Sequence, residues 1–113
     1  MAQSLFIYRY PFSVKPLNVA YCPGYEWTVH QVRIHFSADP APAAEILTIT
    51  IDGGYTAAVH DTQLAAQDMD GVLNSVYTPD APMQLGRLDY LDIVYANTAA
   101  ITHGVEIVFT TRE

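Results

Sequence analysis

The residues of this chain that could carry chemistry are four histidines, one cysteine and twelve carboxylates. No two histidines have the H-x-H or H-E-x-x-H spacing that brings two imidazoles to one metal ion. His30 and His35 are five residues apart on one expected strand, and roughly 13–16 Å would separate them even if a bulge brought them to one face. His60 and His103 stand apart in the sequence. The spacing therefore predicts surface or turn histidines and no metal site.

The carboxylates form no pair with a defined chemistry. Asp68-Met69-Asp70-Gly71 has the D-x-D-G core of a calcium loop, but it lacks the later bidentate glutamate and the flanking helices of an EF-hand. A turn held by aspartate side-chain hydrogen bonds is the expected structure there. Asp89 and Asp92 fall on opposite faces if both lie in one strand, so they do not form a glycosidase pair.

A single cysteine, Cys22, excludes an internal disulfide framework and a thiolate zinc site. We expect it to be a small buried hydrophobic residue. The G-x-S-x-G, G-x-x-x-x-G-K and G-x-G-x-x-G motifs of nucleophile elbows, P-loops and dinucleotide sites do not occur. The sequence therefore predicts neither catalysis nor a cofactor.

Charge limits the classes of partner. Five Lys+Arg against twelve Asp+Glu give a net charge of −7, and the five cations are scattered, which argues against binding to nucleic acid or to an anionic membrane. No window approaches the roughly 18 apolar residues of a membrane span, and the N-terminus lacks a signal-peptide pattern. Half the residues are hydrophobic and only 15% are charged, so the chain is either mostly core or covered by other proteins.

Hydrophobic alternation with a period of two dominates the chain, as expected for strands. Trp27 and Val29 have the opposite parity to Val32, Ile34 and Phe36, which predicts a bulge near residues 30–31. Residues 52–54 are expected to form a hairpin turn, and 61–70 is the one stretch that could be a helix, a turn or a 3₁₀ segment. Strands are expected at 5–10, where Pro11 would end the strand, and at 17–21, 25–36, 45–51, 55–60, 72–77, 90–95 and 104–110, with a short extended segment at 83–85.

About eight strands at this spacing predict an all-β fold, a two-sheet antiparallel β-sandwich of jelly-roll or immunoglobulin-like type. One domain, 1–113, would include all of them. Within it, residues 1–16 are either a terminal strand that closes the sandwich or an extended arm that adds to a neighbouring subunit as an edge strand. Tyr25 and Trp27 are expected in the rim and core rather than on a sugar-stacking platform.

A set of hydrophobic and turn positions extends over most of the chain, roughly residues 24–109: Tyr25-x-Trp27-x-Val29-x-x-Val32, Glu45-x-Leu47-Thr48-Ile49-x-Ile51-Asp52, Asp61, Leu64, Asp68, Tyr77-x-Pro79-Asp80-x-Pro82-x-x-Leu85, Leu91-x-Ile93-x-Tyr95-x-Asn97-Thr98 and Gly104-x-Glu106-Ile107. In these positions the chain resembles small virion proteins of tailed bacteriophages. It departs from the family pattern at Gly86-Arg87-Leu88-Asp89, where a shorter acidic turn is usual, and in its aromatic N-terminus. The resemblance implies a compact jelly-roll-like sandwich on the virus particle, without catalytic residues.

We therefore expect a non-enzymatic capsid decoration or cement protein on the virion surface, made in the bacterial host cytoplasm. Its expected partners are the major capsid protein and copies of itself, and its negative charge would suit a more basic capsid exterior. The contacts are expected on the segment 4–12 and the loops 39–44 and 78–82, through Phe6, Tyr8, Tyr10, Phe12, Pro40, Pro42, Pro79 and Pro82.

Two alternatives stay open. One is a carbohydrate- or receptor-binding sandwich of a phage tail or fibre, with Tyr25, Trp27 and Tyr55 as stacking residues. The other is a small cupin-shaped hydrolase or isomerase, which needs a histidine cluster that the spacing does not supply.

Overall fold

The computed structural model describes residues 5–39, 45–53 and 61–112, without the side chains of Phe12 and Arg112. These residues form nine strands and no helix. The strands are β1 Leu5–Ser13, β2 Leu17–Tyr21, β3 Glu26–Phe36, β4 Ile46–Gly53, β5 Thr62–Asp68, β6 Asn74–Tyr77, β7 Met83–Leu85, β8 Asp89–Tyr95 and β9 His103–Arg112.

The strands form two antiparallel sheets. The five-stranded sheet has the order β1-β9-β3-β6, with β7 also paired to β3, and the four-stranded sheet has the order β2-β8-β4-β5. The pairing is nested: the first strand pairs with the last, β2 with β8, β3 with β6 and β7, and β4 with β5. This is the strand order of a jelly roll, and it confirms the expected two-sheet sandwich.

The core lies between the two sheets and follows from the strand alternation. On each side of residue 30, the side chains of β3 alternate between buried and less buried, because successive side chains of a strand point to opposite faces. β9 alternates in the same way from His103 to Ile107, and Val108, on the outer face, is buried as well. The buried cluster contains Leu17, Val19, Trp27, Val29, Val32, Ile34, Phe36, Leu47, Ile49, Met69, Leu85, Leu91, Ile93, Tyr95, Val105, Ile107 and Phe109.

The bulge expected in β3 is confirmed. The pairing of β3 with β9 shifts between Val29 and Gln31, which leaves His30 as the extra residue. Because of this shift, all the large hydrophobic residues of β3 face the core. Trp27 and Val29 lie before the bulge, and Val32, Ile34 and Phe36 lie after it. A parity change within an otherwise amphipathic strand is therefore a usable sequence signal.

Two strand ends differ from the prediction. β1 continues through Pro11 to Ser13, with a register irregularity after Tyr10. A proline is tolerated there because β1 is an edge strand, whose outer side needs no N–H donor. Residues 52 and 53 are not a turn but the end of β4, where Asp52 pairs with Tyr90 and Gly53 with Asp89. The strand expected at 55–60 lies outside the described residues.

The helix, turn or 3₁₀ segment expected at 61–70 is wrong. Residues 62–68 form β5, which pairs with β4 from Ile46↔Asp68 to Ile51↔Thr62. Leu64 is an extra residue in this ladder, because Ile49 pairs with Ala65 and Thr50 with Gln63. The bulge breaks the alternation of hydrophobic and polar residues that would indicate a strand. The hydrogen bonds that β5 forms with β4 outweigh the weak helix preference of a seven-residue segment.

Candidate interaction surfaces

The histidines do not come together. His30 contacts the Thr110 hydroxyl at 3.2 Å and His35 contacts Asn74, so the bulge leaves both on the outer face of the five-stranded sheet. His103 is buried, and its Nε2 donates to the Lys15 carbonyl at 2.8 Å. His60 lies outside the described residues. Within the described ranges, no group of three His, Cys, Asp or Glu side chains is placed to hold a metal ion.

The turn expected at Asp68–Gly71 has the predicted hydrogen bond from an aspartate side chain. The Asp68 carboxylate accepts a hydrogen bond from the Asp70 N–H at 3.0 Å, and the Val72 N–H donates to the Met69 carbonyl at 3.0 Å. Gly71 has φ +79°, a conformation that favours glycine. The D-x-D-G sequence therefore builds a tight turn between β5 and β6.

Cys22 is half-buried rather than fully buried, which corrects the sequence expectation. Its Sγ donates to the Arg87 carbonyl at 3.0 Å. It therefore ties the connection after β2 to the turn before β8.

The aromatic residues proposed for contacts lie mostly on the inner side of β1. Tyr8 stacks on Tyr21 with ring centroids 4.0 Å apart, Tyr10 packs against the core cluster, and Phe6 stacks on Phe109 while staying exposed. Of the two placements considered for this segment, residues 5–13 occupy the terminal edge strand.

The proline contacts stay predictions. Pro79 is half-buried and Pro82 exposed in the connection between β6 and β7. Pro40, Pro42 and the side chain of Phe12 are outside what the structure describes.

An aromatic cluster joins the two sheets near β1. Trp27 and Phe109 meet edge to face at 5.6 Å, and Tyr21 of the other sheet lies 5.8 Å from Trp27 and 5.5 Å from Phe109. Burial, followed by the neighbouring Tyr8 and Cys22, raises the pKa of Tyr21. Edge-to-face geometry adds to the area buried by such rings, so this cluster anchors β1 to the sandwich.

The outer side of β1 carries a surface that the sequence analysis missed. Leu5 and Ile7 are 64% and 39% exposed, and Ile7 pairs with Val108 of β9. Arg9 donates to Glu106 at 2.6 Å, and Arg33 lies 3.6 Å from the same carboxylate. Both parities of residues 5–8 are hydrophobic, so alternation alone does not separate the inner face from the outer one. The larger aromatic rings take the core side.

A pocket of about 500 Å³ lies next to this ion-pair cluster on the same outer face. Gly104 forms part of its floor, and a Cβ built there meets nothing within 4 Å. Arg9, Arg33, His35, Asn74 and Glu106 supply polar groups, while Pro11 and Val76 supply apolar walls. Two of the five cations of the chain line this pocket. A few convergent polar groups between apolar walls suit a small ligand that carries hydroxyl or carboxylate groups.

The outer face of the four-stranded sheet has the opposite character. Adjacent rows across the strands read Asn18, Val94, Thr48, Ala66 and then Ala20, Asp92, Thr50, Gln63. Exposed Ile46 and Tyr90 share this face. None of the four strands contains Lys, Arg or His. Apart from Ile46, Tyr90 and Val94, the side chains on this face are therefore short or polar, the four described strands place no cation on it, and Asp52 and Asp92 lie toward one end.

Asp92 has a raised pKa. Burial is the main cause, followed by the charge of Asp52 and a hydrogen bond with it, and by the charge of Asp61. Between the unfolded pKa of about 3.9 and the raised folded pKa, the folded chain binds more protons. Stability therefore falls as the pH rises through that window and stays lower above it.

We expect Asp92→Asn to raise the thermal unfolding temperature at pH 7, because the amide removes a charge that is partly buried beside two other carboxylates. Below about pH 3, where the aspartate is protonated in both states, the difference should vanish. Thermal melts followed by circular dichroism between pH 2.5 and pH 8 measure both effects. Asp80→Asn, an exposed carboxylate between β6 and β7, is the control for loss of one charge. A lower melting temperature for Asp92→Asn at pH 7 would contradict the prediction.

No helix long and apolar enough to cross a membrane occurs in the described part of the chain. Comparison of the chain with protein families, curated proteins and solved structures finds no match. The resemblance to phage virion proteins therefore rests on the residues quoted for it.

Proposed function

We propose that this chain is a non-enzymatic structural protein of a phage virion, one that decorates the capsid and holds neighbouring major capsid subunits together. The resemblance in residues 24–109 supports this assignment. Jelly-roll sandwiches occur in viral capsid proteins but also in lectins and cupins, so the fold alone does not decide the function.

The outer face of the four-stranded sheet is the observation that carries the proposal. Interface cores are depleted in charged residues and enriched in aromatic side chains. This face joins exposed Val94, Ile46 and Tyr90 to short polar side chains, with no cation among them. The carboxylates of Asp52 and Asp92 at one end suit a basic patch on the partner.

The size of the protein fits a bridging role. A stable contact buries about 800 Å² on each partner, roughly an eighth of the 6592 Å² surface of the chain. Two or three such contacts therefore fit on one copy without overlapping. A copy that contacts two or three capsid subunits raises the free energy needed to separate them by the binding energy of each contact.

The charge fits a location on the outer surface of the particle. A net charge of −7 favours approach to a basic exterior and disfavours contact with packaged DNA. In this proposal the chain is made in the host cytoplasm and joins the shell beside copies of itself.

The direct test compares phage particles assembled with and without the chain. Particles without it should rupture at a lower temperature, and added wild-type protein should co-sediment with them and restore heat tolerance. Val94→Lys, on the outer face of the four-stranded sheet, should bind about tenfold more weakly or worse. Val76→Lys, the same change at an exposed strand position of the other sheet, is the matched control and should bind normally.

Unchanged heat tolerance in particles without the chain would overturn the proposal. Equal binding by the Val94→Lys and Val76→Lys variants would overturn the choice of face. Circular dichroism of both variants shows whether they are folded.

A second candidate, a carbohydrate- or receptor-binding module, is favoured by the pocket beside Gly104. Of the stacking residues expected for it, Trp27 is buried and Tyr25 is exposed, and Tyr55 lies outside the described residues. A glycan array with Gly104→Leu, which fills the open space above the floor, separates the two functions. Glycan binding that this variant abolishes, with particle stability unchanged, would favour the second candidate.

A further inference from the structure

We infer that the free edge of β1 pairs antiparallel with β1 of a second copy of this chain, in a register centred on Ile7. The inference goes beyond the capsid proposal and does not depend on it, because it concerns pairing of the isolated chain with itself. It rests on the backbone edge, the outward side chains and the charges of residues 5–10.

β1 lies at the end of the five-stranded sheet and pairs only with β9 among the described strands. One row of its backbone N–H and C=O groups therefore faces away from the sheet. Such an edge is a template for a further strand.

Residues 5–10 of β1 lack the features that protect the other edges; in β1 the proline and the register shift come only after Tyr10. β2 has five residues and lies between Pro16 and Pro23, β6 has four residues and β7 three. β5 has a bulge at Leu64 and carboxylates near both ends. Short strands, prolines, bulges and charges all oppose edge pairing. Residues 5–10 of β1 contain no proline, no lysine and no register shift.

The outward side chains of β1 favour a protein partner. Leu5 is 64% exposed and Ile7 is 39% exposed. Arg9 is the one charged residue in this stretch, and it is paired with Glu106 of the same copy at 2.6 Å. The outward side of β1 therefore presents two exposed apolar side chains and one arginine whose charge is balanced by Glu106.

A two-fold axis at Ile7 gives a compatible register. It places Ile7 opposite Ile7 of the second copy and Leu5 opposite Arg9, so residues 5–9 all pair. The two Arg9 side chains are then four residues apart, about 13 Å, which exceeds the screening length of about 8 Å at physiological salt. An axis at Tyr8 would put Pro11 opposite Leu5, and an axis at Arg9 would put the two arginines face to face.

Cysteine cross-linking tests the register. Residues directly opposite in an antiparallel pair have Cα atoms about 4.5–5.5 Å apart, within the range of a disulfide, whereas the two Leu5 residues would be about 13 Å apart. In a Cys22→Ser background, Ile7→Cys should form a disulfide-linked dimer under mild oxidation, and Leu5→Cys should stay monomeric. Equal cross-linking of the two variants would overturn the register.

Sedimentation equilibrium of the isolated protein tests the pairing itself. Wild type should dimerise, and Ile7→Lys should weaken the dimer at least about tenfold, because it places two cations at the axis. Ile46→Lys makes the same change at a 49% exposed strand position of the other sheet and should leave the dimer intact.

A charge swap adds an independent readout. Leu5→Glu faces Arg9 of the second copy and should dimerise at least as well as wild type, while Leu5→Lys should dimerise less. Wild type that stays monomeric at 100 µM, or Lys variants at 7 and 46 that behave alike, would overturn the inference. Because no capsid is present, these outcomes are separate from failure of the capsid proposal.

Discussion

Asn97→Ala is expected to lower the free energy of unfolding by about 3–5 kcal/mol, a large share of the roughly 5–15 kcal/mol of a folded domain. Asn97 is 3% exposed and lies in the connection between β8 and β9. Its Nδ2 donates to the carbonyls of Val14, Lys15 and Ile101 at 3.0–3.1 Å, and its Oδ1 accepts from the Ile101 N–H at 3.1 Å.

These bonds join two connections that are about 80 residues apart in the sequence. The carbonyls of Val14 and Lys15 belong to the link between β1 and β2, so the Asn97 amide fixes where the chain crosses from one sheet to the other. The Lys15 carbonyl keeps a second donor, His103, after the substitution. Both backbone groups of half-buried Ile101 lose a partner, and each such group left unsatisfied away from water costs about 1–3 kcal/mol. Val14 is 51% exposed, so water can replace the amide at its carbonyl.

The backbone adds to the loss. Asn97 has φ +53°, a left-handed conformation that asparagine tolerates and that costs alanine roughly 1–2 kcal/mol. Asn97→Gly loses the same side-chain bonds without that strain, so it should be destabilising but milder than alanine. Urea unfolding of the three proteins measures both components. Losses below 1 kcal/mol for Asn97→Ala would show that the amide bonds do not hold the connection.

From the sequence alone, Asn97 is predictable only as a residue of a polar connection. Its amide acts on carbonyls that become neighbours only after nine strands have paired, and residue types in the connection do not encode that distance. The bulge at His30 is predictable because Trp27 and Val32 lie an odd number of residues apart in one strand. A regular strand would point their side chains to opposite faces, so their shared hydrophobic character indicates an extra residue between them. The extra residue at Leu64 removes the same kind of signal from β5, so the sequence there predicts a helix, a turn or a 3₁₀ segment instead of a strand.

The surfaces were less predictable than the fold. The edge strands are predictable in principle, because nested pairing of the strands places β1 at the end of its sheet. The side of β1 that faces outward is not predictable from the sequence, because residues 5–8 are hydrophobic at both parities. The pocket beside Gly104 brings Arg9, Arg33 and Glu106 together from three strands, and only the register across β1, β9 and β3 aligns them.

Trp27→Ala is the second large effect, with an expected loss of about 3–5 kcal/mol. The indole is 1% exposed and makes edge contacts with Tyr21 and Phe109. Its removal leaves a cavity where the two sheets and the inner side of β1 meet. The neighbouring rings are held by their own strands, so they can fill the space only in part.

Trp27→Phe separates packing from polar contact. The indole Nε1 is buried without a hydrogen-bond partner in the described part of the chain, so phenylalanine gives up volume but no hydrogen bond and removes a buried donor that is not satisfied. We expect less than half the loss of the alanine variant. Tyr25→Ala, two residues away with an exposed ring, should cost under about 1 kcal/mol. Equal losses for Trp27→Phe and Trp27→Ala in urea unfolding would contradict the account of this cluster as ring packing in which a smaller ring keeps most of the contacts.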